Sequence, residues 1–492
     1  TDWVGGQLTQ QAVPPDEHPW IEEYGCTETY RRFRASVRNY YKTWYRLTPS
    51  ALNAAQFNPG NCGVSHICHE PKVALSVLES MLAEDVSAGN LRVFPNTVPI
   101  AAGMKGNCVA SVLVQNCLSG NRTEIESPWF IDATELGDLL PLTGTEYTSG
   151  SESKKQTGEL HASDEPDPKN IQAITWCFAM DYVEGEDHTI EKPDQYDYWK
   201  EYVPTLTPEW PGKMLSWTYS QPITLEPFEY GFDPRPGADK PGFWNYRRLI
   251  DPTNFQNRKG SGITLVNWPM NDFLEGNIFD LPNEEVEKNL ECAKQQSLSL
   301  LYWLQTEAPR LEGTAGWPGL RIRGDITGTN TGLAKRPYIR ESRRIKAEFT
   351  ILENHIGTEA RSIITGIPKN QVKAESFSDS VGIGSYRIDL HPSTGGNNYI
   401  DISSLPFEIP LGAMIPVKTD NLIPAAKNIG TTHITNGCYR LHPVEWNIGE
   451  SAGALASFCL RRSLSPKAVR AKHMVDFQSA LSKQGIAFRW PL

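Results

Sequence analysis

Apolar residues at helical spacing predict three helices along the chain. Residues 68–85 place Pro71 near a first turn, and apolar residues follow it three or four positions apart. Residues 282–310 begin with acidic side chains and continue with an apolar stripe, which suits a helix N-terminus and a buried face. The third helix starts near Pro443, and its predicted buried stripe consists of Val444, Ile448, Ala452, Leu455 and Cys459.

Between the first two helices the pattern changes to short β-rich runs. Residues 91–94, 97–102, 108–115 and 124–134 are rich in β-branched or aromatic side chains. The turn-forming sequences GMKGN and LSGNRT separate some of these runs, which predicts an antiparallel meander. Near the other end, residues 422–426 form another apolar run that passes through a polar loop into the third helix.

Two stretches of unusual composition lie between these regions. Residues 149–170 are polar, so they form either a long exposed loop or a domain boundary. Residues 176–268 are rich in aromatic residues and proline. The favoured interpretation is a loop-rich region with an aromatic core; the alternative is a platform on which a sugar-like or aromatic substrate stacks.

Composition excludes several classes of partner. The net charge is −11 without a basic stripe, which argues against nucleic acid and anionic membranes, and no run reaches the roughly 20 apolar residues of a membrane span. The nine cysteines are scattered and include no CxxC, so we expect free thiols and favour a cytoplasmic location. Cys62, His66, Cys68 and His69 lack a second ligand pair, so no metal site is predicted.

Arg387, Asp389 and His391 are the first candidates for chemistry. They alternate along the sequence SYRIDLHP, so in a strand they share one face. A cation, a carboxylate and an imidazole together suit proton transfer coupled to hydride transfer. The alternative is an exposed polar strand face with no catalytic role.

Further candidates lie in the sequence YIRESRRI and in the loop before the third helix. Arg340 shares a helical face with Arg344, or a strand face with Ser342. These arginines either bind a carboxylate-bearing substrate or pair with Glu341 and neighbouring residues. His433 is a second-tier catalytic candidate.

Small residues mark two places where the backbone approaches something closely. Gly5 and Gly6 are adjacent, and Gly449 and Gly453 lie one turn apart in the predicted third helix. Glycine inside a helix costs about 1 kcal/mol relative to alanine, so close packing against a strand or a flat cofactor is expected. The N–H groups at the Pro443 end of this helix suit an anion or an electron-rich ring oxygen.

Five motifs in order give the chain a family resemblance. TDWVGGQLT, FIDATELGDLL, PYIRESRRI, SYRIDLHP and NLIPAAKNIGTTHITNGCYRLHPVEWNIGESAG resemble the FAD-dependent oxidoreductases of the glutathione-reductase-like fold. Some members of that group carry the label xanthan lyase. The resemblance implies an α/β fold with a Rossmann-type FAD-binding domain and its β-meander, together with an aromatic-rich α+β substrate domain.

The resemblance also implies how the chain divides and what holds the cofactor. Residues 1–150 and 411–470 would form the FAD-binding domain, 151–410 the substrate domain and 471–492 a tail. The implied FAD-binding residues are Gly5, Gly6, Gln7, Ala133, Thr134, Asn428, Ile429, Arg440, Pro443 and Gly449. Lys427 departs from the Gly-Arg pair usual in the family.

A GxGxxG turn normally opens this fold on its first strand and helix. In the family it precedes the motif that begins at Thr1, so we expect this chain to lack the first βαβ element. Gly382-Ile383-Gly384 lies beside a strand-like run and does not replace that turn.

The resulting hypothesis is a flavoenzyme that transfers hydride to or from a small organic substrate, either sugar-like or carboxylate-bearing. The alternative is a flavin-deficient pseudoenzyme or carbohydrate-binding protein on the same fold. A polysaccharide lyase would need a Tyr or His base near a carboxylate-neutralising group, which the sequence does not mark out.

Overall fold

A computed structural model describes residues 2–237 and 241–491. Thr1, where the family resemblance begins, lies outside these ranges. The α-helices are α1 (Glu28–Trp44), α2 (Pro49–Asn53), α3 (Pro71–Ser87), α4 (Leu139–Thr143), α5 (Lys154–Thr157), α6 (Tyr196–Glu201), α7 (Phe243–Tyr246), α8 (Asn283–Thr306), α9 (Gly324–Thr327), α10 (Glu353–Ile356), α11 (Thr358–Thr365), α12 (His433–Tyr439), α13 (His442–Arg462), α14 (Pro466–Lys472) and α15 (Met474–Lys483).

The strands are mostly short and fall into several small sheets. They are β1 (Thr97–Lys105), β2 (Cys108–Asn116), β3 (Arg122–Glu126), β4 (Phe130–Asp132), β5 (Tyr147–Thr148), β6 (Ile174–Thr175), β7 (Phe178–Tyr182), β8 (Thr218–Ser220), β9 (Pro227–Glu229), β10 (Arg248–Ile250), β11 (Ile263–Val266), β12 (Asp272–Phe273), β13 (Leu320–Ile322), β14 (Arg344–Ile345), β15 (Ser380–Gly384), β16 (Ile388–Leu390), β17 (Ile400–Ile402), β18 (Phe407–Pro410) and β19 (Leu422–Pro424). The fold is therefore mixed helix and sheet, as the sequence predicts.

The three predicted helices are confirmed as α3, α8 and α13. Pro71 opens α3, and Pro443 is the second residue of α13, because proline costs little where an N–H has no intrahelical partner. All five residues of the predicted α13 stripe are buried. Helix α1 was not predicted; its N-cap Thr27 accepts a hydrogen bond from the backbone N–H of Tyr30.

The predicted meander is confirmed as the antiparallel sheet β1-β2-β3. Residues 91–94 are not a strand, and the run 124–134 is split into two strands. The second of these, β4, leaves the meander and pairs in parallel with β19, with Ile131 opposite Ile423. This parallel pair brings the loops after Asp132 and Pro424 to the same edge.

The aromatic region builds a core around the four-stranded sheet β10-β11-β7-β13. Trp199, Trp244 and Trp268 in this core are almost completely buried, as is Trp210 in a smaller separate cluster, which confirms the core interpretation for these side chains. Residues 149–170 contain the short helix α5, and Ser151, Ser153 and Glu159 in this stretch are buried. The stretch is therefore not exposed throughout.

Two short strand pairs place the polar residues of interest. In the antiparallel pair β16-β17, Asp389 lies directly opposite Asp401. In the pair β12-β6, Asp272 lies opposite Thr175. Arg387 and His391 flank β16, and Arg340 lies in neither a helix nor a strand, so neither secondary structure considered for it is correct.

The cysteines depart from the expectation of free thiols. Cys62 and Cys68 form a disulfide, so that expectation is wrong for this pair and the cysteine pattern no longer favours a cytoplasmic location. The described residues include no group of three or more His, Cys, Asp or Glu arranged to hold a metal ion. None of the described helices is long and apolar enough to cross a membrane.

Candidate functional site

A cavity of about 190 Å³ lies where β10 begins, where β11 ends and beside the β16-β17 pair. Its lining includes four of the five predicted catalytic residues, together with Arg440: these are Arg340, Arg387, Asp389, His391 and Arg440. Aromatic side chains form much of the remaining wall, among them Tyr219, Tyr230, Phe243, Tyr246, Trp268, Tyr338, Tyr386 and Tyr399. The aromatic region thus supplies both a core and a cavity wall.

His391 is held in a defined orientation at this cavity. Its Nδ1 lies 2.5 Å from Oδ2 of Asp272, a carboxylate that is 1% exposed. A proton on Nδ1, shared with Asp272, leaves Nε2 as the lone-pair nitrogen of the ring. Nε2 lies 3.9 Å from Oδ2 of Asp389, another cavity residue. This is the arrangement of an imidazole base positioned by a buried carboxylate.

Asp272 is itself stabilised as a carboxylate. Arg340 lies 3.1 Å from it, and the hydroxyl of Thr175 donates a hydrogen bond to Oδ1. Burial raises the pKa of Asp272, but the charges of Arg340 and His391 outweigh that effect and lower it below its ordinary value. Arg340 is therefore paired with the carboxylate that holds His391, and of the two predicted interpretations this agrees with pairing within the protein.

The other cavity arginines are also paired. Arg247 binds Asp16 through two hydrogen bonds of 2.9 and 3.3 Å. Arg440 lies 3.2 Å from Oδ2 of Asp389, and Arg387 binds the carboxylate of Asp401 and also its backbone carbonyl at 2.9 Å. The positive and negative charges of the lining are therefore close to balance.

Asp401 has a perturbed acidity. Burial, with a contribution from Asp389 opposite it, raises the pKa of Asp401 to about 6, despite the neighbouring Arg387. The balance of charge in the cavity therefore changes as Asp401 titrates around this pKa.

Several residues of the cavity wall carry buried donors without a partner. Five lining residues carry a buried nitrogen that has no hydrogen-bond partner among the described residues: Arg247 Nε, Asn267 Nδ2, Trp268 Nε1, Arg340 Nε and Arg440 Nε. Unpaired buried donors are costly, so an oxygen-rich ligand or ordered water suits this wall.

His433 lies away from this cavity. Its Nδ1 is 2.8 Å from Glu341 Oε1, and Glu341 in turn pairs with Arg344 at 2.7 Å. All three side chains are buried. This cluster holds the start of α12 against the segment that leads into β14. The contacts of His433 Nδ1 are therefore with other protein side chains.

A second group of predicted residues converges beside the cavity. The amide of Gln7 donates to the carbonyl of Arg440 at 3.1 Å and to Glu445 at 2.9 Å. Lys427 is buried between two carboxylates, 2.7 Å from Glu135 and 3.2 Å from Glu445. The N-terminal loop, the loops after β4 and β19, and the start of α13 thus meet at one place.

The loops after β4 and β19 are locked to each other. Asn428 donates from Nδ2 to the carbonyl of Asp132 at 2.9 Å, while its Oδ1 accepts from the N–H of Ala426. Thr134 follows Ala133 and hydrogen-bonds to Asp132 through both its N–H and its hydroxyl. Ile429 is completely buried.

The glycines of this region have explanations within the protein. Gly5 and Gly6 have φ of +109° and +51°, where glycine is favoured. A Cβ on Gly5 would lie 2.5 Å from Leu78, and one on Gly6 would lie 2.9 Å from Glu135. The absence of side chains here therefore already follows from backbone conformation and packing, without a bound cofactor.

The small face of α13 is more open than the sequence predicts. A Cβ on Gly449 would meet the carbonyl of Ala425 at an ordinary 3.6 Å, and one on Gly453 would meet no described atom within 4 Å. The expected close packing is therefore wrong at Gly453 as far as the described residues extend.

Comparison with known proteins supports the resemblance noted in the sequence. A family model described as FAD dependent oxidoreductase matches residues 1–481. The chain belongs to this family. It is thus an FAD-dependent oxidoreductase. Searches of curated proteins and of solved structures give no match.

The place where the N-terminal loop meets the start of α13 offers hydrogen-bonding groups that suit FAD, the cofactor of this flavoprotein. Buried atoms without a partner among the described residues lie on the loop after Gly6 and at the first residue of α13: Gln7 Oε1, Gln10 Oε1, Gln11 Oε1, Gln11 Nε2 and His442 Nε2. Both donors and acceptors are present, as the polar edge of a flavin requires. The residues present therefore fit FAD.

We call this place the FAD-fitting region; it comprises residues 7–11 and the first turn of α13. It lies directly beside the cavity. The backbone N–H of Asp16, a cavity residue, donates to His442 Nδ1 at 3.1 Å. Arg440 contributes its carbonyl to Gln7 and its guanidinium to the cavity. The two regions of the flavoprotein are therefore direct neighbours.

Several residues of this flavoprotein site were missed by the sequence analysis. Asp272, Asp16 and Arg247 lie more than 100 positions from the residues they contact, and Asp401 lies 14 positions from Arg387. Asp401 carried a signal, because it alternates with apolar residues in the run YIDIS, just as Asp389 does in RIDLH. The sequence around Asp272 contains no signal that distinguishes it from other acidic residues.

Proposed function

We propose that this flavoprotein oxidises a small, neutral, hydroxyl-bearing molecule bound in the cavity, with His391 accepting the hydroxyl proton. The observation that carries the proposal is the His391–Asp272 pair, which lies in a charge-balanced cavity next to the FAD-fitting region. Bound FAD supplies the two-electron oxidant for such a reaction.

His391 and Asp272 divide the work of proton transfer. Nε2 of His391 takes the proton from the substrate hydroxyl as the carbon–oxygen bond becomes a carbonyl. Asp272 holds the ring by accepting from Nδ1 and stabilises the imidazolium that forms. Because Arg340 and the Thr175 hydroxyl stabilise Asp272 as a carboxylate, the proton remains on the imidazole.

The cavity wall favours a sugar-like substrate over a carboxylate-bearing one. A carboxylate would need an arginine with free charge, whereas Arg247, Arg387 and Arg440 each already pair with an aspartate. Paired charged groups still offer donors and acceptors to hydroxyls, and the aromatic rings offer apolar faces to C–H groups. Both features suit a polyhydroxylated ring.

For the cofactor we propose the residues that converge beside the cavity. Gln7, Asn428 and the first turn of α13 at Pro443 would hold FAD, with Arg440 at the boundary with the substrate. In this proposal residues 1–150 and 411–470 form a Rossmann-type FAD-binding unit, 151–410 the substrate unit and 471–492 a tail. The contacts of Gln7 with Arg440 and Glu445 support the joining of the first two segments.

A substrate panel tests the proposed class. We expect neutral sugars and polyols to bleach the visible flavin band of the FAD-loaded protein under anaerobic conditions, and we expect the matching sugar acids to react more slowly. The reason is that a carboxylate entering the cavity adds a charge that the paired arginines do not neutralise. Faster bleaching by the acids than by their neutral counterparts would contradict the proposed substrate class.

A further inference from the structure

The four-stranded sheet β10-β11-β7-β13 carries a second concave site at the end opposite the cavity. The cavity is lined by Arg247, just before β10, and Asn267, just after β11. A groove of about 500 Å³ is instead lined by Ile250 at the end of β10 and Ile263 at the start of β11. The groove is also lined by Tyr182 at the end of β7 and by Arg321 in β13. It is thus separate from the proposed substrate site.

Positive charge is concentrated in this groove although the whole chain is acidic. Four basic residues line it, Arg258, Lys259, Arg321 and Arg323, against the two acidic residues Asp181 and Glu184. Arg258 is itself 3.9 Å from Glu70 and lies over the ring of Tyr45, so the proposed site uses the other three. This local excess of two positive charges occurs in a chain of net charge −11. Concave walls of one sign concentrate counter-ions of the other sign.

The internal ion pairs leave part of this charge available. Arg321 and Arg323 both bind the single carboxylate of Asp181, at 2.7 and 2.6 Å. Arg323 has a second partner in Asp325, which is largely exposed. Lys259 is exposed and makes no hydrogen bond or ion pair with the described part of the chain.

The loop that carries Arg258 and Lys259 adds backbone donors. Its sequence is NRKGSG at residues 257–262, and Gly260 and Gly262 have φ of +95° and +82°. The backbone N–H groups of residues 258–261 have no acceptor among the described residues. Consecutive free N–H groups in a glycine-rich turn, next to basic side chains, are typical of sites for phosphate groups.

We propose that this groove is a second ligand site, which binds a phosphoryl group through Lys259, Arg321, Arg323 and the backbone of residues 258–261. The ligand is either free phosphate or a small phosphate monoester, since both present the same tetrahedral dianion. The site is distinct from the one that holds FAD and from the substrate cavity.

Calorimetric titration of the FAD-loaded protein, at constant ionic strength, tests this site. Inorganic phosphate and methyl phosphate are the probes, and acetate is the control for a singly charged planar anion. We expect saturable binding of phosphate that weakens about tenfold or more in Lys259→Glu, because charge-assisted hydrogen bonds are lost and a repulsive charge is added. Tighter binding of methyl phosphate would identify an ester as the ligand, and equal or weaker binding would identify the free ion.

Lys288→Glu is the matched control, because Lys288 is an exposed residue of α8 outside the groove and its replacement changes the net charge equally. This variant should bind phosphate as the unmodified protein does. The proposal is overturned if phosphate shows no saturable binding, if acetate binds as tightly as phosphate, or if the two glutamate variants behave alike.

Discussion

Replacement of His391 by asparagine is expected to slow substrate oxidation about 10²- to 10⁴-fold, the range contributed by a positioned proton-transfer group. The proton of the substrate hydroxyl would then have no acceptor in place of Nε2. Folding and FAD content should be preserved, because Asp272 keeps its ion pair with Arg340 and its hydrogen bond from Thr175. The measurement is the rate of anaerobic flavin bleaching by a substrate taken from the panel.

His161→Asn provides a closely matched control. His161 also pairs through Nδ1 with a buried glutamate, Glu353, at 2.7 Å, and its side chain is 29% exposed against 22% for His391. It does not line the cavity. The control variant should bleach at the unmodified rate, and an equal rate for His391→Asn would exclude His391 from proton transfer.

Replacement of Lys427 by methionine is expected to lower the free energy of unfolding strongly. Burial lowers the pKa of Lys427, but Glu135 and Glu445 outweigh that effect and hold it above its ordinary value, so the side chain is charged. Removal of one partner from a buried ion pair typically costs about 3–5 kcal/mol. We expect the lower end of this range, because Glu135 and Glu445 retain some access to water.

Chemical denaturation measures this loss, and Lys418→Met is its control. Lys418 pairs with Glu146 at 3.8 Å on the surface, where such pairs contribute about 0–1 kcal/mol. Lys427→Met should also purify with less FAD, because Glu445 is bound to Gln7 in the FAD-fitting region. Unfolding midpoints that coincide for the two variants would contradict the account of the Lys427 cluster.

Much of the fold was predicted from patterns between residues close in sequence. Apolar spacing and proline position located α3, α8 and α13, and turn residues located the meander β1-β2-β3. Helix α1 was not predicted because charged residues interrupt its apolar stripe. Its buried face contains Arg34 and Arg38 as well as Tyr30, Phe33, Val37 and Tyr41. Those arginines are buried because Glu17 and Glu22 pair with them from an earlier loop.

Strand alternation predicted the part of the candidate site whose residues lie close in sequence, while Arg440 came from the family resemblance. Arg387, Asp389 and His391 were found because strand alternation is a local property, and the cavity includes all three. Asp272 was not found, because its contact with His391 spans 119 positions and depends on how β12 and β16 are brought together. The openness at Gly453 also depends on packing that the sequence of α13 alone does not encode.

A crystal structure of the FAD-loaded protein with a substrate or a non-reactive analogue tests the central claim most directly. The account predicts a substrate hydroxyl oxygen within about 2.6–3.2 Å of Nε2 of His391, the range required for proton transfer. It also predicts that the Nδ1 contact with Asp272 is retained and that the flavin lies against Gln7 and the start of α13. A substrate bound next to the flavin but outside the cavity lined by His391, Asp389 and Arg440 would contradict the account.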